Sequence, residues 1–357
     1  MIKSIMWKHI YEEEATLNTL LNSNQVAEFK EKFDLTKICQ VVFVASGSSL
    51  NVAKASAQLF EKLADTEVRL KTPNHFIENH KGLHMNRETT LVIAISQTGT
   101  SSGTIRAIQR AKEQGVKVLT LTERMETPIH DMGDYYLNFL CGLEDCNAKT
   151  KGYSNSLVLL WLIALEIGKE KGNVSDHCFA QYMDEIKESI KDISTTIQKT
   201  LNWLEAHKDW GKIEHFNVVG YGMNYGTAEE GMLKLMETLC LPATVCEVGE
   251  FSHGFHRTLS TKSNVITILT EEFGYEDMLK INSYLAGKID RFLVMNGTKN
   301  YYEDSNYINV EYRPLTASAL NIAVVFQTMA VYIPELIGND PNRPSNEELV
   351  KLLAVRV

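Results

Sequence analysis

One stretch of this chain, an apolar run that breaks into a hydroxyl-rich turn and then into a helical pattern, constrains the fold most. The apolar run is Leu91–Ile95, and none of the side chains at residues 96–104 is apolar. Apolar residues then recur with helical spacing over 105–111, and Gly115 is placed to end the helix. Such a turn predicts an anion site, because free backbone N–H groups and the positive end of the helix dipole face it. An ordinary capped loop has the same local pattern, so the rest of the chain decides between the two.

A second stretch of the same kind lies upstream. Val41–Ala45 is a β-branched run, Ser46–Ser49 reads Ser-Gly-Ser-Ser, and a helical pattern follows as far as Leu63. Strands that alternate with helices predict a parallel sheet covered on both faces, with ligands at the carboxyl ends of the strands, where both turns lie. Further strand-like runs are Val68–Leu70, Val116–Thr122 and Tyr135–Phe139.

The second half of the chain repeats this layout after a uniform shift that places Gly47 on Gly222. The turns differ, because Ser96-Gln97-Thr98 then falls on Glu271-Glu272-Phe273, and two carboxylates would repel a phosphate. We therefore expect an anion site in the first half only. The strands that coincide are Val41–Ala45 with Phe216–Gly220 and Leu91–Ile95 with Ile266–Thr270.

The length of 357 residues exceeds the usual size of one hydrophobic core and predicts two domains. An apolar stripe at three- and four-residue spacing from Ile186 to Leu204 predicts a helical connector of the bundle type between them. The predicted segments are leading helices at 1–30, an α/β domain at 31–172, the connector at 173–210, a second α/β domain at 211–340 and a tail at 341–357.

Composition excludes several classes of protein. The chain has 36 basic and 45 acidic residues, a formal charge of -9 and no basic cluster, which argues against nucleic acid or an anionic membrane as a partner. Six cysteines occur without a CxxC pair or zinc-type histidine spacing, so we expect reduced thiols, no metal and a cytoplasmic location. The longest apolar run, Leu157–Leu165, is too short to span a bilayer, and the N-terminus lacks the pattern of a signal peptide.

Titratable residues are concentrated in the second half. Glu230, Lys234 and Glu237 have the spacing that places them on one face of a helix, where an exposed salt-bridge ladder is the simplest interpretation. The loop at 247–257, however, carries two acids, two histidines and an arginine around two glycines, which is typical of an active-site loop rather than a spacer.

Four patterns in this order resemble double sugar-isomerase (SIS) domain proteins, in particular the isomerase half of glucosamine-6-phosphate synthase and its deaminase and deglycase relatives. They are SGSS at Ser46–Ser49, SQTGTS at Ser96–Ser101, EGMLKLME at Glu230–Glu237 and GEFSHG at Gly249–Gly254. The resemblance implies two tandem SIS domains, each a parallel sheet flanked by helices in a flavodoxin-like α/β/α arrangement. It also implies contacts of a sugar phosphate with Ser48, Ser49, Ser96, Gln97, Thr98 and Ser101, and further substrate contacts from Gly47, Lys151 and Glu250.

The resemblance further implies the catalytic residues. Glu237 would be the acid/base that moves a proton between C1 and C2 of the sugar, with Glu230 and Lys234 as its companions. His253 would open the sugar ring and reach the neighbouring subunit of a homodimer, and Lys351 would be the lysine of the C-terminal tail. The chemistry passes through an enediol or enolamine, so one carboxylate serves both carbons, and no cofactor or metal is needed.

The expected function is that of a phosphosugar isomerase or deaminase acting on an amino-sugar 6-phosphate, or of a deglycase acting on a 6-phosphorylated sugar–amino acid (Amadori) adduct. The chain begins Met1-Ile2-Lys3 without an amidotransferase segment, so we expect breakdown of amino sugars rather than synthesis. Phe255, Lys149 and Thr100 depart from the family pattern and leave the substrate open. The alternative is a non-catalytic regulatory protein that binds phosphosugars.

Overall fold

The computed structural model describes residues 4–353, so the predicted leading and tail segments, and the start of the chain at Met1-Ile2-Lys3, lie partly or wholly outside the described residues. Strands and helices alternate through the first half. Its elements are α1 Ile5–Tyr11, α2 Glu13–Leu21, α3 Gln25–Phe29, β1 Gln40–Val44, α4 Ser48–Ala64, β2 Glu67–Lys71, α5 Pro73–Asn79, β3 Thr90–Ile95, α6 Ser102–Glu113, β4 Lys117–Thr122, α7 Pro128–Met132, β5 Tyr135–Asn138 and α8 Lys151–Glu170.

The second half has the same alternation after two long helices. Its elements are α9 Asp176–Lys191, α10 Ile193–Ala206, β6 Phe216–Gly220, α11 Met223–Leu239, β7 Ala243–Glu247, β8 Asn264–Leu269, α12 Tyr275–Leu285, β9 Arg291–Asn296, β10 Tyr307–Asn309, α13 Ala319–Leu336 and α14 Glu347–Leu352.

Two five-stranded sheets result, and every strand pair in them is parallel. The first has the order β2-β1-β3-β4-β5 and the second the order β10-β9-β8-β6-β7, which is the same order by position in the repeat. This is the flavodoxin-like order, in which the chain reverses its direction of winding between the first and third strands and leaves a crevice there. The predicted fold of two tandem α/β domains with flavodoxin-like topology is confirmed.

The internal repeat extends to backbone detail. Gly47 and Gly222 each cap a 17-residue helix, α4 and α11, with φ 57° and ψ −137°. Glycine is favoured there because the left-handed region strains other side chains. The uniform shift predicted from the sequence is wrong beyond this point, since β3 begins at Thr90 and β8 at Asn264, and the turn residues therefore pair at least one position away from those predicted.

The chain divides into two compact units, each built on one sheet. The first-sheet domain comprises residues 15–144 and 151–181 and the tail from 344, and the second-sheet domain comprises 145–150, 182–343 and the N-terminal residues up to 14. Helix α1 is thus part of the second-sheet domain. There the backbone N–H of Ser4 and the indole N–H of Trp7 donate to the two carboxylate oxygens of Glu335 at 2.7 and 2.9 Å.

Helix α10, predicted as part of a connector, packs into its own domain. Trp203 and Leu204 lie in the core cluster that also contains Phe326 of α13. The α10 end of the apolar stripe is therefore covered by a neighbouring helix of the same domain. Within residues 4–353, α13 is the one helix long and apolar enough to cross a membrane, and 83% of it is buried inside the structure, as in the core helix of a globular domain.

Candidate active site

The turn after β1 leads into helix α4, whose first two backbone N–H groups have no acceptor among the described residues. Ser48 and Ser49 are its first two residues, and no described residue accepts a hydrogen bond from their backbone N–H groups. A Cβ atom added to Gly47 would meet no atom of the described residues within 4 Å, so the space beside this glycine is not filled by them. Two free N–H groups, two hydroxyls and the positive helix end make this turn suited to an anion.

The turn after β3 is fixed by a side-chain cap and by close packing. Ser101 caps α6, because its Oγ accepts hydrogen bonds from the backbone N–H of Thr104 at 3.5 Å and from its hydroxyl at 3.0 Å. Ser96 is buried at the end of the strand, and Gly99 has φ 69°. A Cβ at Gly99 would lie 2.1 Å from Oγ1 of Thr127, which explains why the turn needs glycine.

The two turns lie side by side. Strands β1 and β3 are neighbours with Val44 opposite Ala94, and the turns follow directly after these residues. They therefore border the crevice at which the winding direction reverses, the usual ligand position in such sheets. The described geometry brings together the residues predicted to bind the phosphate, namely Gly47, Ser48, Ser49, Ser96, Gln97, Thr98 and Ser101.

The side chain of Gln97 points to the start of α8. Its Nε2 donates to the carboxylate of Glu144 at 2.9 Å, and the same carboxylate oxygen accepts from the backbone N–H of Gly152 at 3.1 Å. A Cβ at Gly152 would lie 2.0 Å from Nε2 of Gln97, so only glycine admits this contact. One of the two N–H groups of the Gln97 amide is thus donated to Glu144, which orients the amide and which the sequence analysis did not single out.

Lys151 begins α8 and is buried, with 4% of its surface exposed. Nearby, Cys141 lies against the carboxylate of Glu123 at an Sγ–Oε2 distance of 3.2 Å. Burial is the main cause that raises the pKa of the Cys141 thiol far above its usual range, and the negative charge of Glu123 is the second. Cys141 is therefore a protonated thiol at neutral pH and not a nucleophile.

A cleft of about 370 Å³ adjoins the cap of α6. Among residues 4–353, its lining holds one charged side chain, Arg106, and no carboxylate, and Arg106 forms no ion pair within that range. Ser102 and Arg106 are four residues apart and share one face of α6, a spacing that could have identified Arg106 from the sequence. The lining is Ser46, Thr72, Pro73, Asn74, Ser101, Ser102, Gly103, Arg106 and Leu353.

In the second-sheet domain, α11 carries a compact group of charges. Nζ of Lys234 lies 2.6 Å from Oε2 of Glu237 and 3.4 Å from Oε1 of Glu230. The Lys234 and Glu230 side chains are 1% and 3% exposed, whereas Glu237 is 34% exposed. An exposed salt-bridge ladder is thus excluded, and one carboxylate of the group reaches the surface.

The loop after β7 contains two short helical turns, Gly249–Ser252 and Phe255–Thr258. The backbone N–H of His253 donates to the carbonyl of Glu250 at 2.9 Å, and both residues are exposed. Among the described residues, neither side chain makes a hydrogen bond or ion pair with Glu237. The structure therefore assembles Glu230, Lys234 and Glu237, and among the described residues no hydrogen bond or ion pair joins His253 or Glu250 to Glu237.

The tail provides one contact that sequence reasoning missed. Nη2 of Arg343 donates to the carbonyl of Leu239 at 2.8 Å, so its guanidinium caps the C-terminus of α11, where a cation is favourable. Lys351 is exposed on α14 and forms no ion pair with any residue in the described range. Within that range there is also no group of three or more His, Cys, Asp or Glu side chains arranged for a metal.

Comparison with known proteins agrees with this arrangement. Residues 34–166 match the family model of the SIS domain. The chain is 26% identical over 357 residues to the glutamine–fructose-6-phosphate aminotransferase [isomerizing] of Caldanaerobacter subterraneus subsp. tengcongensis, covering 96% of this chain. The chain spans only 57% of the length of that relative.

Two solved structures share the fold. A protein from Clostridium difficile 630 classed as a phosphosugar isomerase has a TM-score of 0.88 at 24% identity, with 99% of each chain covered. A glucosamine-6-phosphate deaminase from Thermotoga maritima has a TM-score of 0.76 at 18% identity, with 96% of this chain and 97% of the other covered. Both therefore have the same tandem arrangement of parallel sheets.

Proposed function

We propose that this protein, in which residues 34–166 are a SIS domain, is a phosphosugar isomerase or deaminase. Its substrate would be an amino-sugar 6-phosphate or a 6-phosphorylated sugar–amino acid adduct. The observation that carries the proposal is the buried Lys234 held between two carboxylates, of which only Glu237 reaches the surface. The names of the relatives point to the same chemistry, since they act on fructose 6-phosphate or glucosamine 6-phosphate.

Charge balance explains why such a group can move a proton. A buried ammonium is costly unless it is paired. Glu230 keeps Lys234 paired when Glu237 takes up a proton, so the buried pair stays neutral throughout the cycle. Glu237 can then remove a proton from one of two adjacent sugar carbons, which gives an enediol or enolamine, and return it to the other carbon.

The nitrogen determines the outcome of the proton transfer. In an amino-sugar phosphate, the transfer converts the aldose into an imine at C2, and water then releases ammonia and the ketose phosphate. In an Amadori adduct, the reverse transfer gives an imine at C1, and water releases the free amino acid and the aldose phosphate. Without nitrogen the reaction is an aldose–ketose isomerisation. We propose that His253 opens the sugar ring and that Lys351 is the catalytic lysine of the C-terminal tail, as the family resemblance implies.

In the first-sheet domain we propose that the phosphate is bound by the turns after β1 and β3. The free N–H groups of Ser48 and Ser49 and the hydroxyl-rich segment from Ser96 to Ser101 support this assignment. Binding energy from a phosphate remote from the reacting carbons can be used at those carbons. Gly47, Lys151 and Glu250 are proposed as further substrate contacts.

One assay tests the proposal. The protein is incubated with glucosamine 6-phosphate and with fructosyl- and glucosyl-amino acid 6-phosphates, and ammonia, free amino acid and sugar phosphate products are followed. Glu237→Gln should abolish turnover while phosphosugar binding is retained, and Lys280→Met on the exposed face of α12 should change neither. Unchanged turnover by E237Q would overturn the mechanism. Binding of these compounds without turnover by the wild type would instead support a regulatory phosphosugar-binding protein.

We also propose a homodimer with shared sites and a cytoplasmic location. His253 is exposed and forms no hydrogen bond or ion pair with Glu237 among the described residues, so its side chain is accessible to a second subunit. All six cysteines are free thiols, as expected in a reducing compartment. Sedimentation that shows only monomer at assay concentrations would contradict the shared site.

A further inference from the structure

We propose that Glu272 is an internal anion that takes the place of a bound phosphate in the second-sheet domain and thereby positions helix α11. The proposal rests on the proposed function in one respect, namely that α11 is the helix carrying the proton-transferring group. Its structural part stands on the contacts of Glu272 alone. Glu272 is then a positioning residue, which acts on the reaction only through α11.

The N-termini of α4 and α11 are equivalent. Each helix has 17 residues, follows the first strand of its sheet in chain order, β1 or β6, and is preceded by a glycine with φ 57° and ψ −137°. Each therefore presents the same set of backbone N–H groups in the same direction. A ligand phosphate is proposed for the first of these ends, and the second has the same need for negative charge.

In the second-sheet domain that need is met by Glu272, which follows β8. Its Oε1 accepts a hydrogen bond from the backbone N–H of Met223 at 2.8 Å, and its Oε2 accepts from the hydroxyl of Thr270 at 3.0 Å and from Nδ2 of Asn224 at 3.5 Å. A backbone donor of the first helical turn, a hydroxyl and an amide thus surround one carboxylate. These are the donor types that a phosphate turn provides.

Space in front of the two helices differs accordingly. A Cβ at Gly222 would lie 2.3 Å from Oε1 of Glu272, whereas a Cβ at Gly47 would meet nothing within 4 Å. The space beside Gly222 is filled by the Glu272 carboxylate, whereas no described residue fills the space beside Gly47, which a ligand can occupy. The expectation from the sequence that the acidic turn merely repels phosphate is therefore replaced by a more specific one, in which the carboxylate itself is the bound anion.

The test uses chemical rescue. Glu272→Ala removes the carboxylate and leaves its space, Glu272→Gln keeps the space filled, and Glu276→Ala removes an exposed glutamate from the first turn of α12 as a matched control. Melting temperatures are measured in sodium acetate and in sodium chloride of equal ionic strength. We expect E272A to melt below the wild type and to be raised by acetate but not by chloride. Wild type, E272Q and E276A should show no difference between the two salts.

A loss of stability in E272A that acetate does not restore would overturn the proposal, since it would show that the carboxylate contributes packing rather than charge. If E272A is obtained unfolded, refolding in acetate against chloride decides in the same way. Turnover is followed separately. Acetate should restore kcat of E272A with little change in KM, because the proposed phosphate turns are intact. Failure of the wild type to turn over any sugar phosphate would refute the proposed function but leave the melting experiment valid.

Discussion

The buried charges of α11 lead to a prediction whose size depends on their exposure. Lys234→Met removes the one cation from a group in which Glu230 is 3% exposed and Glu237 is 34% exposed. Removing one partner of a buried ion pair costs about 3–5 kcal/mol, because the remaining charge is buried without compensation. Glu237 adds little to this cost, since water reaches it. We therefore expect K234M to lose about 3–5 kcal/mol of unfolding free energy at neutral pH.

The chain offers a matched control. Lys280 and Asp277 on α12 are also three residues apart with a contact of 2.9 Å, but both are mostly exposed. Lys280→Met should leave stability within experimental error, because exposed pairs contribute little. Unfolding in urea is followed by tryptophan fluorescence, since Trp203 and Trp210 lie in the core of the same domain.

The pH dependence provides the decisive check. In K234M the buried Glu230 carboxylate loses its contact with the ammonium group in the folded state but is hydrated in the unfolded state, so the folded state gains more from protonation. The deficit of K234M should therefore be full at neutral pH and shrink as the pH falls toward the carboxyl range. The double variant K234M/E230Q should recover much of the loss. Equal losses in K234M and K280M, or a deficit that does not change with pH, would refute the reasoning.

Three further predictions concern the first-sheet domain. Arg106→Ala should raise KM for a phosphosugar several-fold without lowering kcat if the cleft beside α6 helps to attract the anion, and Arg110→Ala, one turn further along α6, should not. Glu144→Ala should weaken phosphosugar binding in titration calorimetry, because the Gln97 amide loses the acceptor that orients it. Alkylation with iodoacetamide at pH 8, read by peptide mass spectrometry, should modify exposed Cys39 and spare Cys141, because burial and Glu123 raise the pKa of the Cys141 thiol.

The strands could be predicted from the sequence because buried strands of a parallel sheet are short runs rich in β-branched residues. The run predicted at Val41–Ala45 is β1 at Gln40–Val44, and the run at Leu91–Ile95 is β3 at Thr90–Ile95. The face shared by Glu230, Lys234 and Glu237 was also predictable from helical spacing alone. Spacing cannot report burial, and burial is the property that distinguishes this group from an exposed ladder.

Contacts between distant segments were not predictable in the same way. Glu272 and Arg343 each act on a helix end far from them in sequence, and Glu144 links the start of α8 to Gln97, which lies 47 residues upstream. A lone glutamate or arginine in a loop has no local signature of this use. The apolar stripe that ends in α10 has the same limitation. An apolar stripe predicts that one face of a helix is buried, but it does not predict which element buries it. For α10 that element is α13, which only the complete fold reveals.

The attachment of α1 to Glu335 has a consequence for the order in which the molecule forms. Ser4 precedes the whole first-sheet domain in the chain, yet its acceptor lies 331 positions later. The first-sheet domain, apart from its tail, is complete in sequence long before α13 is synthesised, so it can fold while α1 still has no partner. Such long-range closure is slow relative to local contacts. Docking of α1 should therefore be a late event in biogenesis, because the carboxylate of Glu335 that holds it is not available until α13 has been synthesised.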